Sequence, residues 1–63
     1  MKRKELVARL VHGGCHLVRH GGLHDIYKNA VTGRIQSVPR HNEINERLAR
    51  KILQTLTEKK QGV

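Results

Sequence analysis

The segment His20-Gly-Gly-Leu-His24-Asp-Ile-Tyr27 presents a histidine just after a Gly-Gly pair, and Val38-Pro-Arg-His41 follows it with another. Arg19, Lys28, Arg34 and Arg40 stand around them. An imidazole can take or give a proton near neutral pH, and cationic side chains hold phosphates by charge. These residue types suit the cutting of RNA. That reaction needs a base for the 2′-hydroxyl proton, an acid for the leaving 5′-oxygen, and cations to offset charge on the phosphate. His24 is the candidate for one proton transfer. His41 is a candidate assistant if the chain after Pro39 returns towards the second strand. Arg19, Lys28, Arg34 and Arg40 are candidate contacts to the RNA backbone, and His41 is a candidate RNA-binding residue as well. Taken alone, a histidine in this setting is more often a turn-adjacent surface residue than a catalytic one.

Charge points the same way. The 63 residues hold 13 Lys+Arg against 5 Asp+Glu, a formal net charge of +8. The excess is spread along the chain and not confined to a tail, so much of the surface should attract polyanions. A membrane surface is a poorer fit, because no helical stretch carries a broad apolar stripe with aromatic anchors. No run approaches the roughly 18 apolar residues of a membrane span. The start Met-Lys-Arg-Lys-Glu-Leu resembles the charged end of a secretory leader, but Arg9 and His12 break the apolar run that would have to follow. A single cysteine permits no internal disulfide and fits a reducing cytoplasm.

Other residues admit chemistry less readily. His12, His16, His20 and His24 recur every fourth position, which on one continuous helix would line a metal-binding face. The Gly-Gly pairs break such a helix, and His16 and His20 are expected to share a strand face, so no metal or other cofactor is expected. Cys15 suits a buried small hydrophobe better than a nucleophile. For Tyr27, the only aromatic residue, two readings stay open: its ring stacks on an RNA base or covers the edge of the core.

The elements that must position these groups follow from periodicity and turn residues. Residues 4–12 predict a helix with Leu6, Val7, Leu10 and Val11 on one stripe, closed by Gly13-Gly14. Cys15–His20 predicts a strand, and Gly21-Gly22 a two-residue hairpin turn in which both residues tolerate positive φ. Leu23–Lys28 predicts the second strand. If Ile26 faces the core, His24 lies at the rim of the same face, partly desolvated. Asn29–Gly33 predicts a longer turn, and Arg34–Val38 a third strand stopped by Pro39. Asn45 is a natural N-cap for a helix to about Thr57, burying Leu48, Ala49, Ile52, Leu53 and Leu56. Residues 58–63 are polar and expected to fray. The result is one small two-layer α+β domain, α-β-β-β-α. It has a three-stranded antiparallel sheet with both helices on one face, leaving the other face or its rim for a ligand. Its core of Leu, Ile, Val and Ala is thin.

Laid out in order, Gly14, Arg19, Gly22-x-His24-x-Ile26-Tyr27, Thr32-Gly33-Arg34, Val38-Pro-Arg-His41 and Ile52-Leu53 resemble the HicA family of toxins. These are small mRNA interferases of bacterial and archaeal toxin–antitoxin systems. The resemblance runs from the first helix to about Leu56. It is closest to the branch that reads His-Asp-Ile-Tyr, Val-Pro-Arg-His and Glu-Ile-Asn-Glu, here His24–Tyr27, Val38–His41 and Glu43–Glu46. It implies a fold like the double-stranded-RNA-binding domain and a metal-independent endoribonuclease acting on mRNA through one histidine, matched here by His24. It also implies a HicB-type antitoxin that covers that histidine. Three positions depart from the family's pattern: Leu23 replaces Ser or Asn, Cys15 replaces Phe, and Ala30 replaces Pro. Leu23 can orient neither an imidazole nor a phosphate, which opens an alternative function: a non-catalytic RNA-binding module of the same fold. A purely structural subunit fits the charge least well.

Overall fold

The computed structural model describes residues 1–57; the tail expected to fray, 58–63, lies outside them. The elements run α1 (Arg3–His12), β1 (Cys15–His20), β2 (His24–Asn29), β3 (Ile35–Pro39) and α2 (Glu46–Thr57). This is the predicted α-β-β-β-α order, in a small α+β domain. The strands form an antiparallel meander in the order β1-β2-β3.

In α1, Leu6 and Leu10 stand one turn apart and are fully buried, with Val7 packed partly against them. Val11, expected on the same stripe, is exposed. No side chain caps the helix start. Instead the chain before α2 ties it down: the Arg3 amide donates to the Asn42 carbonyl at 2.9 Å, and Lys2 bridges to Glu43. The Gly13 amide closes the other end on the carbonyls of Arg9 and Leu10, and Gly14 turns the chain at φ +94°. At α2, Asn45 caps as expected, its Oδ1 accepting the amides of Arg47 at 2.9 Å and Leu48 at 3.3 Å. Ala49, Ile52 and Leu56 form the buried face and Leu53 is partly covered. Leu48 is exposed, one position too far round the helix to reach the sheet.

Both helices pack on one sheet face, where Cys15, Tyr27 and Val38 meet Leu6, Leu10, Ile52 and Leu56. Each of these large aliphatic side chains contributes about 2 kcal/mol by leaving water. The face reading of β2 is therefore corrected. Asp25, Tyr27 and Asn29 point to the core side, and His24, Ile26 and Lys28 to the open side. Of the two readings of Tyr27, the core one holds: the residue is 7% exposed. Buried Asp25 and Asn29 explain the misreading, since both are polar residues satisfied by partners distant in sequence.

Register adds a second correction. Cys15 pairs with Asn29, His16 with Lys28 and Leu17 with Tyr27; the register then shifts, so Arg19 pairs with Ile26 and His20 with Asp25. The bulge at Val18 changes the face presented by the end of β1. His16 lies on the open face, whereas His20 lies on the core side; they do not share a face. The bulge also keeps Arg19 on the open face.

The β1–β2 turn holds three residues, Gly21-Gly22-Leu23, and the Gly21 amide donates to the His24 carbonyl at 2.7 Å. Neither glycine uses positive φ, which occurs at Gly14 and Gly33. Gly21 is instead required by space, because a Cβ there would lie 2.5 Å from the His24 carbonyl oxygen. Arg34 lies in the following turn and not in β3. Asn29 builds that turn by accepting the amides of Val31 at 2.7 Å and Thr32 at 3.1 Å on Oδ1. Its Nδ2 donates to the Leu56 carbonyl at 2.6 Å, joining the turn to α2.

Candidate nucleic-acid interface

His24 opens β2 on the helix-free side of the sheet and is exposed, not partly desolvated as expected. Its cross-strand partner is Pro39, so the chain leaving β3 starts beside it. Alternation along an extended chain sends Arg40 to the Asp25 side and His41 to the His24 side. A shallow groove results, lined by Gly22, Leu23, His24, Arg40 and His41. Leu23, the departure in the turn, is 80% exposed in that groove.

Behind the groove lies a charge cluster that sequence reasoning missed. Asp25 is 6% exposed. Its Oδ2 accepts Arg3 Nη2 at 2.8 Å; its Oδ1 accepts Arg40 Nε at 2.8 Å and faces His20 Nδ1 at 2.9 Å. The hydrogen bond from His20, helped by Arg40, holds the carboxyl below its ordinary value against the opposing effect of burial. Arg3 also donates from Nε to the Pro39 carbonyl at 2.8 Å, and Arg40 from Nη2 to the Gly21 carbonyl at 2.6 Å. One carboxylate thus joins α1, β1, β2 and the chain after β3 at the end where His24 sits. The available signal was a lone acid beside the candidate histidine in a strongly basic chain. Its partners at positions 3 and 40 were not predictable from spacing.

The predicted site residues divide accordingly. The fold brings His24, Arg40 and His41 to one groove. Arg40 spends Nε and Nη2 on Asp25 and Gly21, leaving Nη1 without a partner among the described residues. Arg19 lies on the same open face, across from Ile26. Lys28 shares that face but stands four residues along β2, about 13 Å from His24 at strand spacing, opposite His16 and Ile35. Arg34 sits at the far end and points back to α2, 3.5 Å from the Thr55 carbonyl. Tyr27 faces away, into the core. Cys15 is buried, and burial pushes its thiol up from the ordinary value, against a smaller opposing effect of Asn29.

Among the described residues, no cluster of three or more His, Cys, Asp or Glu is arranged to hold a metal ion. No helix among them is long and apolar enough to cross a membrane. The arrangement offers proton-transfer groups at a cationic rim, open to a ligand as large as a nucleic-acid strand. Comparison with curated proteins and with solved structures yields no match. A family model described as the HicA toxin of bacterial toxin–antitoxin systems matches residues 3–57. That span takes in both helices, all three strands and every residue of the groove, and on it the chain belongs to the HicA toxin family.

Proposed function

We propose that this chain is the toxin of a toxin–antitoxin pair, a cytoplasmic endoribonuclease that cuts mRNA without a metal ion. The observation that carries the reading is the exposed His24 in a groove at the rim of a helix-free, cationic sheet face. Arg19 and Lys28 hold the RNA backbone along that face, and Arg40 meets the phosphate at the rim. His24 moves a proton to or from the reacting ribose–phosphate unit. The partner is a HicB-type antitoxin that neutralises the toxin by covering His24.

The test compares wild type and His24→Ala, each induced in a bacterial host without antitoxin. Wild type should stop growth and shorten mRNA lifetimes, and His24→Ala should do neither. Purified wild-type protein should cut RNA equally well with a chelator present. Equal growth and equal mRNA lifetimes for the two proteins would refute the reading.

One observation favours a second reading. Leu23 places an apolar side chain in the groove where the family has a small polar one. A non-catalytic RNA-binding module would bind RNA with steep salt dependence and leave it intact.

A further inference from the structure

Strand cleavage by attack of the ribose 2′-hydroxyl needs two proton transfers, and one imidazole performs one of them in each turnover step. We propose that His41 is the second catalytic group of this protein, acting across the groove from His24; the inference rests on the endoribonuclease reading above. Three observations carry it. Both histidines line the same groove. The pairing of His24 with Pro39 fixes where the chain leaves β3, and Arg40 is then anchored to Asp25 at 2.8 Å and to the Gly21 carbonyl at 2.6 Å. His41 is the next residue, so its backbone is held at the groove. Finally, among the described residues, it is the His20 ring that a carboxylate ties down. His24 and His41 are left to meet a ligand.

The charged surroundings suit a phosphate between the two rings. Arg40 is the charged residue among the other groove-lining groups, and no acid lines the groove. The nearby carboxylate, Asp25, faces the core side and is taken up by Arg3, His20 and Arg40. In the step itself, neutral His24 takes the 2′-hydroxyl proton as the O2′–P bond forms. The P–O5′ bond breaks, and protonated His41 gives its proton to the departing 5′-oxygen. The products are a 2′,3′-cyclic phosphate and a free 5′-hydroxyl. Exchange with water then returns each ring to its starting state, so protons and electrons balance with no co-reactant.

The test replaces the leaving atom. The bond that wild-type protein cuts fastest in bacterial RNA is synthesised in a short oligoribonucleotide with oxygen, and separately with sulfur, at the 5′ bridging position. A thiolate leaves without needing a proton. His41→Ala should slow cleavage of the oxygen-linked strand by about 10²-fold or more, while cutting the sulfur-linked strand nearly as fast as wild type. His24→Ala should fail on both. Since His41 is exposed, its removal should leave the fold unchanged, which circular dichroism and an unchanged thermal unfolding midpoint would verify. Equal loss on both linkages, or no loss on either, would overturn the role of His41 and leave the ribonuclease reading standing. Wild-type protein that cuts no bond at all would remove both.

Discussion

Asp25 and His24 are neighbours on β2 that face opposite sides of the sheet: the carboxylate is enclosed by Arg3, His20 and Arg40, while the imidazole is open to solvent. Stability and proposed chemistry are therefore separated by one peptide unit.

The carboxylate should govern acid stability. Its folded-state pKa lies below the ordinary 3.8. The stability it contributes is thus full above that value and is lost as pH falls below it, through the lower folded value. Asp25→Asn should lower the thermal unfolding midpoint at neutral pH, with the gap from wild type closing as pH is taken below about 4. A gap that stays constant down to the acid limit would show that the charge of Asp25 is not what stabilises the rim.

The turn glycines should differ sharply. A Cβ on Gly21 meets the His24 carbonyl oxygen at 2.5 Å, whereas one on Gly22 meets nothing within 4 Å. Gly21→Ala should cost about 2 kcal/mol, by analogy with overpacked sites, and should lower RNA cleavage by displacing His24. Gly22→Ala should leave both near wild type. Paired denaturant curves and cleavage rates measure this directly.

The order of elements was legible because each break carries its own signal. Gly13-Gly14, Gly21-Gly22, Asn29–Gly33, Pro39 and Asn45 each stand at an observed boundary or within one residue of it. The core side of β2 was not legible. Ile26 is the apolar residue that alternation assigns to the interior, yet the core side carries Asp25 and Asn29. Burying those groups is possible because hydrogen bonds satisfy them, some with near neighbours (His20, Val31 and Thr32) but others, from Arg3 and Arg40 and to the Leu56 carbonyl, with partners 15 to 27 residues away. The bulge at Val18 was equally hidden, since nothing in Leu17-Val18-Arg19 announces an extra residue. The groove was more accessible: once the second and third strands pair, Val38-Pro-Arg-His41 must end near His24.

Asn29 should prove to be a structural hinge-pin of the far end. Its side chain satisfies two turn amides and the Leu56 carbonyl from a buried position. Asn29→Ala strands these groups, and a loss of about 3 kcal/mol is expected. Asn29→Asp should also destabilise, because a carboxylate cannot donate to Leu56. Equilibrium unfolding of the two variants gives the comparison.

The open face should set the salt dependence of RNA binding. If Lys28 contacts phosphate there, Lys28→Ala should flatten the slope of log affinity against log salt by about 1. Arg50→Ala, on the exposed side of α2, should leave that slope unchanged. Titrations at several salt concentrations separate the two.

The anchoring of Arg40 has a consequence for how a strand would be received. Its bonds to Asp25 and Gly21 fix the end of β3 and the hairpin turn to one another in the free protein. Docking would then need little ordering of the receiving loops, and most of the interaction energy would remain as affinity, as in other preorganised receptors.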